Sequence, residues 1–180
     1  MAILKRWLQR TAVPALALLS YSTALAQVAN EYEVKAAFLF NFTRFVDWPP
    51  SSGNDSHCIG IAGADPFGAA LEDALNGRTA GGHRFSVKHF KPGAESACEV
   101  VFIAETDGKK LRAILGRLQG SPVLTVGEAP GFCRSGGVIA FKIEDNKVRL
   151  EINPDAAQRS RLQISSKLLS LATLVRESVE

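Results

Sequence analysis

Three short apolar runs constrain the fold of this chain more than anything else in it: Cys58 to Gly63 (CIGIAG), Cys98 to Ala104 (CEVVFIA) and Pro122 to Gly127 (PVLTVG). Each is too short for a buried helix and nearly continuous in apolar residues, the pattern of a strand covered on both faces. Helical spacing separates them. After the first run, Asp65 can cap a helix, Pro66 suits its first position, Phe67, Ala70, Leu71, Ala74 and Leu75 supply the period, and Asn76-Gly77 ends it. After the second, Asp107 to Gln119 carries Leu111, Ile114, Leu115 and Leu118 on one face. Residues 83–90 alternate, with Phe85, Val87 and His89 opposite Arg84, Ser86 and Lys88, as a strand with one wetter face does. The alternation predicts an α/β fold, a largely parallel sheet covered by helices. The end differs: Gly137 to Ile143 and Lys147 to Ile152 predict an antiparallel hairpin across Glu144-Asp145-Asn146. A last helix is expected from the Asn153-Pro154-Asp155 region to Arg176, with or without a break, its stripe being Ile164, Leu168, Leu171 and Val175.

Residues 1–26 read as a secretory signal. Lys5, Arg6 and Arg10 precede an apolar run from Ala12 to Leu25 that ends in Ala24-Leu25-Ala26, and Pro14 and the polar stretch from Ser20 to Thr23 weaken the rival reading as a retained anchor. Cleavage after Ala26 would place residues 27–180 in the periplasm as a single domain, long enough to bury a sizeable core. The cut changes the charge. The whole chain has 21 Lys and Arg against 18 Asp and Glu, and the leader takes three cations and no acids, leaving 18 of each. A basic face for nucleic acid is not indicated, and Lys109, Lys110 and Arg112 look like the solvated side of a helix.

Glu31 to Trp48 (EYEVKAAFLFNFTRFVDW) is the most apolar helix-like stretch after the leader. Val34, Phe38, Phe45 and Trp48 fall on one stripe flanked by Ala37 and Phe42, while Leu39 and Phe40 point elsewhere. A helix apolar nearly all round is sunk in a core or shared with a second surface. It does not span a membrane: Lys35, Asn41, Arg44 and Asp47 interrupt it, and Pro49-Pro50 stops it short of the roughly 20 residues a span needs.

The search for chemistry finds little. Gly60, Gly63 and Gly68 surround a strand-to-helix turn, but the spacing is not that of a nucleotide loop and Asp65 already brings negative charge there. His57, His83 and His89 lie near strand ends or on a strand, and no Gly-x-Ser-x-Gly or Ser-x-x-Lys motif occurs, so no catalytic residues, metal or cofactor are expected. The cysteines say more. In an oxidising compartment Cys58 and Cys98 each open an apolar strand at the same end of a parallel sheet, where a 2-1-3 strand order makes them neighbours. A disulfide there would stabilise by roughly 4 kcal/mol through chain entropy. The rival, a metal site of Cys58, Cys98, Cys133 and a histidine, lacks a C-x-x-C pair. Cys133, in PGFCRSGG, is then a leftover thiol: buried and quiet, paired between chains, or a redox handle, with its loop position favouring exposure.

Several segments in fixed order, VKAAFLFNFTRFVDWP, GADPFG, CEVVFIA, GFCRSGGVIAFKIEDNKVRLEIN and ISSKLLSLATLV, resemble the YfiR-like family of periplasmic proteins over nearly the whole mature length. The resemblance implies a small α/β domain without catalytic activity, able to dimerise. Its best-understood relatives bind the periplasmic sensor region of a membrane-bound diguanylate cyclase and repress it, lowering cyclic di-GMP and biofilm formation. It also implies that Cys58 and Cys98 form the family's disulfide pair and that Cys133 is half of a second pair whose other half is missing, hence a free thiol. The surplus apolar residues of the first helix then suggest a partner or dimer surface made of Leu39 and Phe40 with Glu151 and Arg161. The alternative reading is a periplasmic domain that binds a small ligand at the carboxyl ends of the parallel strands, near Gly63, Ala104 and Gly127.

Overall fold

The structure is a computed structural model that describes residues 31–50, 57–80, 83–91 and 98–176. The leader expected at residues 1–26 lies outside them. The first described element is helix α1 (residues 31–42), and β1 (Val46–Asp47) follows it. Strand β2 (Cys58–Ala62) is followed by α2 (Ala69–Leu75), a small antiparallel pair of β3 (Thr79–Ala80) and β4 (His83–Arg84), and β5 (Ser86–Phe90). Next come β6 (Val100–Ile103), α3 (Gly108–Leu118) and β7 (Leu124–Gly127), and a single helical turn (Cys133–Ser135) leads into β8 (Ile139–Glu144) and β9 (Lys147–Ile152). The last described elements are α4 (Pro154–Arg159), β10 (Gln163–Ile164), α5 (Ser166–Leu169) and β11 (Ala172–Leu174).

Seven strands form one sheet in the order β11-β9-β8-β7-β6-β2-β5. From β5 to β8 all neighbours are parallel, β9 runs antiparallel to β8, and β11 runs parallel to β9. The three apolar runs are β2, β6 and β7, buried throughout, and they feed two cores. Ile59, Ile61, Val100, Phe102, Leu124 and Val126 face one, with α1 and α2; Cys58, Ala62, Val101 and Ile103 face the other, with α3. This is the doubly covered parallel sheet that apolar strands require. The antiparallel pair of β8 and β9 turns on Asp145 and Asn146 alone, at φ 51° and 57°, the left-handed geometry of a two-residue hairpin.

Two expectations fail. In α1 the inward residues are Lys35, Ala36, Leu39, Phe40 and Phe42, whereas Val34 is 39% exposed and Phe38, Phe45 and Trp48 are half-buried. Leu39 (0% exposed) and Phe40 (8%) therefore belong to the core, not to a surface for a partner. The helix stops at residue 42 in a tight turn in which Thr43, Arg44 and Phe45 N–H groups bond carbonyls three residues back. Helical spacing carried through to Phe45 and Trp48 therefore selects the wrong face. The second concerns extent: the last helix starts at Asn153-Pro154-Asp155 as expected, as α4, but does not carry on to Arg176. After α4 the chain passes through Arg161 at φ 58°, pairs β10 antiparallel with β1, makes one turn of α5 capped by Ser165, and ends as the edge strand β11. Leu171 is 68% exposed and lines no buried stripe.

Candidate functional site

Lys35 interrupts the apolar interior of α1. It is 2% exposed, and its Nζ meets the carboxylates of Glu31, one turn earlier, and Glu128, just past β7. Tyr32 joins them: its hydroxyl donates to Glu128 Oε1 at 3.0 Å, and the Lys35 ammonium lies 4.5 Å from its ring centroid. Burial, reinforced by Glu128, pushes the Tyr32 hydroxyl up to about 12. The same ring packs edge-on against Phe67, just past β2, with centroids 5.4 Å apart. Residues 32–35 of α1 thus cover the carboxyl ends of β2 and β7, the position where open parallel sheets commonly hold ligands. The chemistry of this cluster is that of a latch. One cation is shared by two carboxylates, and the one hydroxyl is engaged as a donor and moved further from ionisation at neutral pH.

The residues expected to line an alternative pocket at that end are packed. A Cβ at Gly127 would lie 2.3 Å from the Phe132 ring, and Gly63 sits against Ala104, 3.5 Å from its Cβ. The turn glycines serve packing and turn geometry: Gly60 leaves room for the Phe90 ring, and Gly63 and Gly68 have φ of 104° and 53°. Asp65 Oδ1 accepts from the Phe67 N–H at 2.8 Å, and Oδ2 lies 2.9 Å from His89 Nε2, so it fixes the turn ahead of α2. Helix α2 itself starts at Ala69, later than the Asp65-Pro66 signal suggests. His57 Nδ1 lies 2.9 Å from Glu99 at the opposite ends of the strands. Among the described residues no group of three or more His, Cys, Asp and Glu is placed to hold a metal ion.

Cys58 and Cys98 form a disulfide with Cα atoms 4.8 Å apart, joining the leading ends of β2 and β6. Cys133 is a free cysteine, and here the expectation of exposure fails: it is 0% exposed. The turn around it is pinned from below. Asn153, fully buried, donates its Nδ2 to the Cys133 carbonyl at 2.8 Å and accepts from Ala156 N–H at 3.0 Å, while the thiol points at the Val138 and Glu151 carbonyls. Phe132 fills the space left by Gly127 and Gly137. Burial pushes the Cys133 thiol up to about 12, with Glu151 adding to it, so it is protonated and unreactive at neutral pH. Of the remaining surface candidates, Glu151 is half-buried and paired with Lys142 at 3.8 Å, and Arg161 is exposed and donates to the Gly120 carbonyl at 3.1 Å. The structure does not bring Leu39 and Phe40 to the surface beside them.

A profile of the YfiR/HmsC-like family matches residues 32–173, from α1 into β11. The chain belongs to the YfiR/HmsC-like family. As a YfiR/HmsC-like protein it belongs to a regulatory, non-catalytic family, and membership supports a role as a periplasmic regulator in general. The buried disulfide fits an oxidising compartment. Among the described residues no helix is long and apolar enough to cross a membrane.

Sequence reasoning did not single out the latch, and of the three arginines beside a cleft on α3 and α4 it named only Arg112, as part of the solvated side of a helix. Lys35 enters the sequence reading only as an interruption of a membrane span, and nothing local marks Glu128 as its carboxylate partner, 93 residues away.

Proposed function

We propose that this protein is a non-enzymatic periplasmic regulator that binds the periplasmic sensor region of an inner-membrane diguanylate cyclase and represses it, lowering cyclic di-GMP and restraining biofilm formation. The observation that carries this reading is the family match across residues 32–173, nearly the whole of the processed chain. The leader-like residues 1–26 and the disulfide support export. A binding protein needs apolar anchors on its surface and little else. Among the described residues the most exposed large apolar side chains are Leu171 (68%) and Leu174 (55%), at the edge strand β11. The test is a pull-down of the purified protein against the sensor region of the cyclase encoded nearest its gene, with and without reductant. Capture is expected, weakened by Leu171→Asp and Leu174→Asp in folded protein. Absence of capture under both conditions would refute the reading.

A further inference from the structure

A cleft of about 560 Å³ opens between α3 and α4, with Thr125 of β7 among its lining residues. Its size lies within the roughly 300–1,000 Å³ of small-molecule sites. Three lining side chains are arginines from three separate elements: Arg112 of α3, Arg134 of the turn at Cys133, and Arg159 at the end of α4. No Asp or Glu lines it. In a chain whose processed part carries 18 charges of each sign, that is a marked local excess. Among the described residues no ion pair within 4.0 Å engages Arg112 or Arg134. The Asp107 carboxyl at the start of α3 is held below its usual range by the Lys110 and Lys109 N–H groups, with the charges of Lys110 and Arg112 adding to this.

Neutral donors share the cleft. Ser160 is only 7% exposed, and its hydroxyl takes no partner among the described residues. Thr125 is 4% exposed; its oxygen accepts from the Val138 N–H at 3.0 Å, which leaves its own proton to donate. Guanidinium groups stay charged at any physiological pH, and their planar fork matches the oxygens of carboxylate or phosphate. Leu115 and Ala156 add an apolar patch that suits a short carbon skeleton. We propose that this cleft binds a small anion of carboxylate or phosphate type, held by Arg112 and Arg134 and by the hydroxyls of Ser160 and Thr125. Such a group can arrive as a free anion or as the headgroup of a phospholipid, and the chemistry of recognition is the same.

The purified protein is titrated with sodium phosphate and with malonate, by thermal melting and calorimetry, against sodium chloride at matched ionic strength. In parallel it is sedimented with phosphatidylglycerol vesicles and with phosphatidylcholine vesicles. The expected result is a saturable rise in Tm with phosphate or malonate and none with chloride, the affinity falling roughly tenfold or more in Arg112→Gln and again in Arg134→Gln. Both side chains are exposed, so the variants without anion should melt as the parent does. Saturable retention on phosphatidylglycerol alone, lost in the same variants while free anions do nothing, would assign the anion to a lipid headgroup. No saturable effect of any probe, or binding that the variants keep in full, overturns the proposal. No cyclase takes part, so this result and that of the pull-down fail independently.

Discussion

Lys35 is tolerated in the core because Glu31 and Glu128 meet its ammonium where burial would otherwise oppose the charge. Removing the cation leaves two half-buried carboxylates facing each other. Lys35→Met should therefore destabilise by about 2–3 kcal/mol at neutral pH, measured by urea unfolding, with part of the loss restored by adding Glu128→Gln. An unchanged midpoint would mean that the pair is incidental. Tyr32 and Cys133 make a second prediction at this scale. Both are acids whose charged form is disfavoured in the fold, chiefly by burial: Tyr32 moves from 10.0 to about 12 and Cys133 from 9.0 to about 12. In that range the native state keeps protons that the unfolded chain gives up, so their contribution is intact below pH 9 and is lost as pH rises toward 12. Urea midpoints measured from pH 8 to 11 should fall for the parent and fall less for the Tyr32→Phe, Cys133→Ser variant. At neutral pH Cys133 should react with a thiol reagent only after unfolding; rapid labelling of the native protein would contradict its burial.

Among the elements, α1 separates what the amino-acid pattern reveals from what it hides. That residues 31–42 are helical, and that the helix is not a span, follows from spacing and from Pro49-Pro50. Which side faces in does not follow, because the helix breaks after Phe42 and because a lysine scores as a solvent residue until its partner Glu128 is known. The corrected phase makes Leu39→Ala costly, by about 3 kcal/mol, and Val34→Ala nearly neutral, within about 0.5 kcal/mol, in the same urea assay. Equal losses would restore the original stripe. Phe40→Asp would bury a carboxylate beside Phe85 and so tests stability, not partner binding. The C-terminal segment teaches the same lesson. Ile164, Leu168, Leu171 and Val175 have helical spacing, yet Ile164 pairs with Val46 and residues 172–174 pair with β9, contacts that lie far away in sequence. Elements with their own signal, β2, β6, β7, α3 and the β8–β9 hairpin, were legible. Pieces defined by a distant neighbour were not, and neither was the cleft, since Arg134 and Arg159 lie in a turn and at a helix end that only the tertiary fold sets against Arg112.

For the whole molecule, the strand order decides what the disulfide can do. Strands β2 and β6 are adjacent in the sheet, and Cys58 and Cys98 tie them at their leading ends, with 0% and 2% exposure. A bridge of sequence separation 40 restricts the unfolded chain by roughly 4 kcal/mol in the entropy account, an upper figure if the unfolded chain keeps structure. Its position argues that it serves stability and not switching, because a reductant reaches buried sulfur only when the sheet opens. The Cys58→Ala, Cys98→Ala variant should therefore lose about 2–4 kcal/mol in urea unfolding yet retain the native circular dichroism spectrum and, if the proposed function holds, bind the cyclase sensor region. The native parent should resist millimolar dithiothreitol for as long as it stays folded and be reduced promptly in urea. If mild reductant opened the bridge in folded protein and released the partner, this disulfide would be a redox gate. If reductant changed neither, the bridge is purely structural, and any control of the proposed repression has to enter elsewhere on the protein.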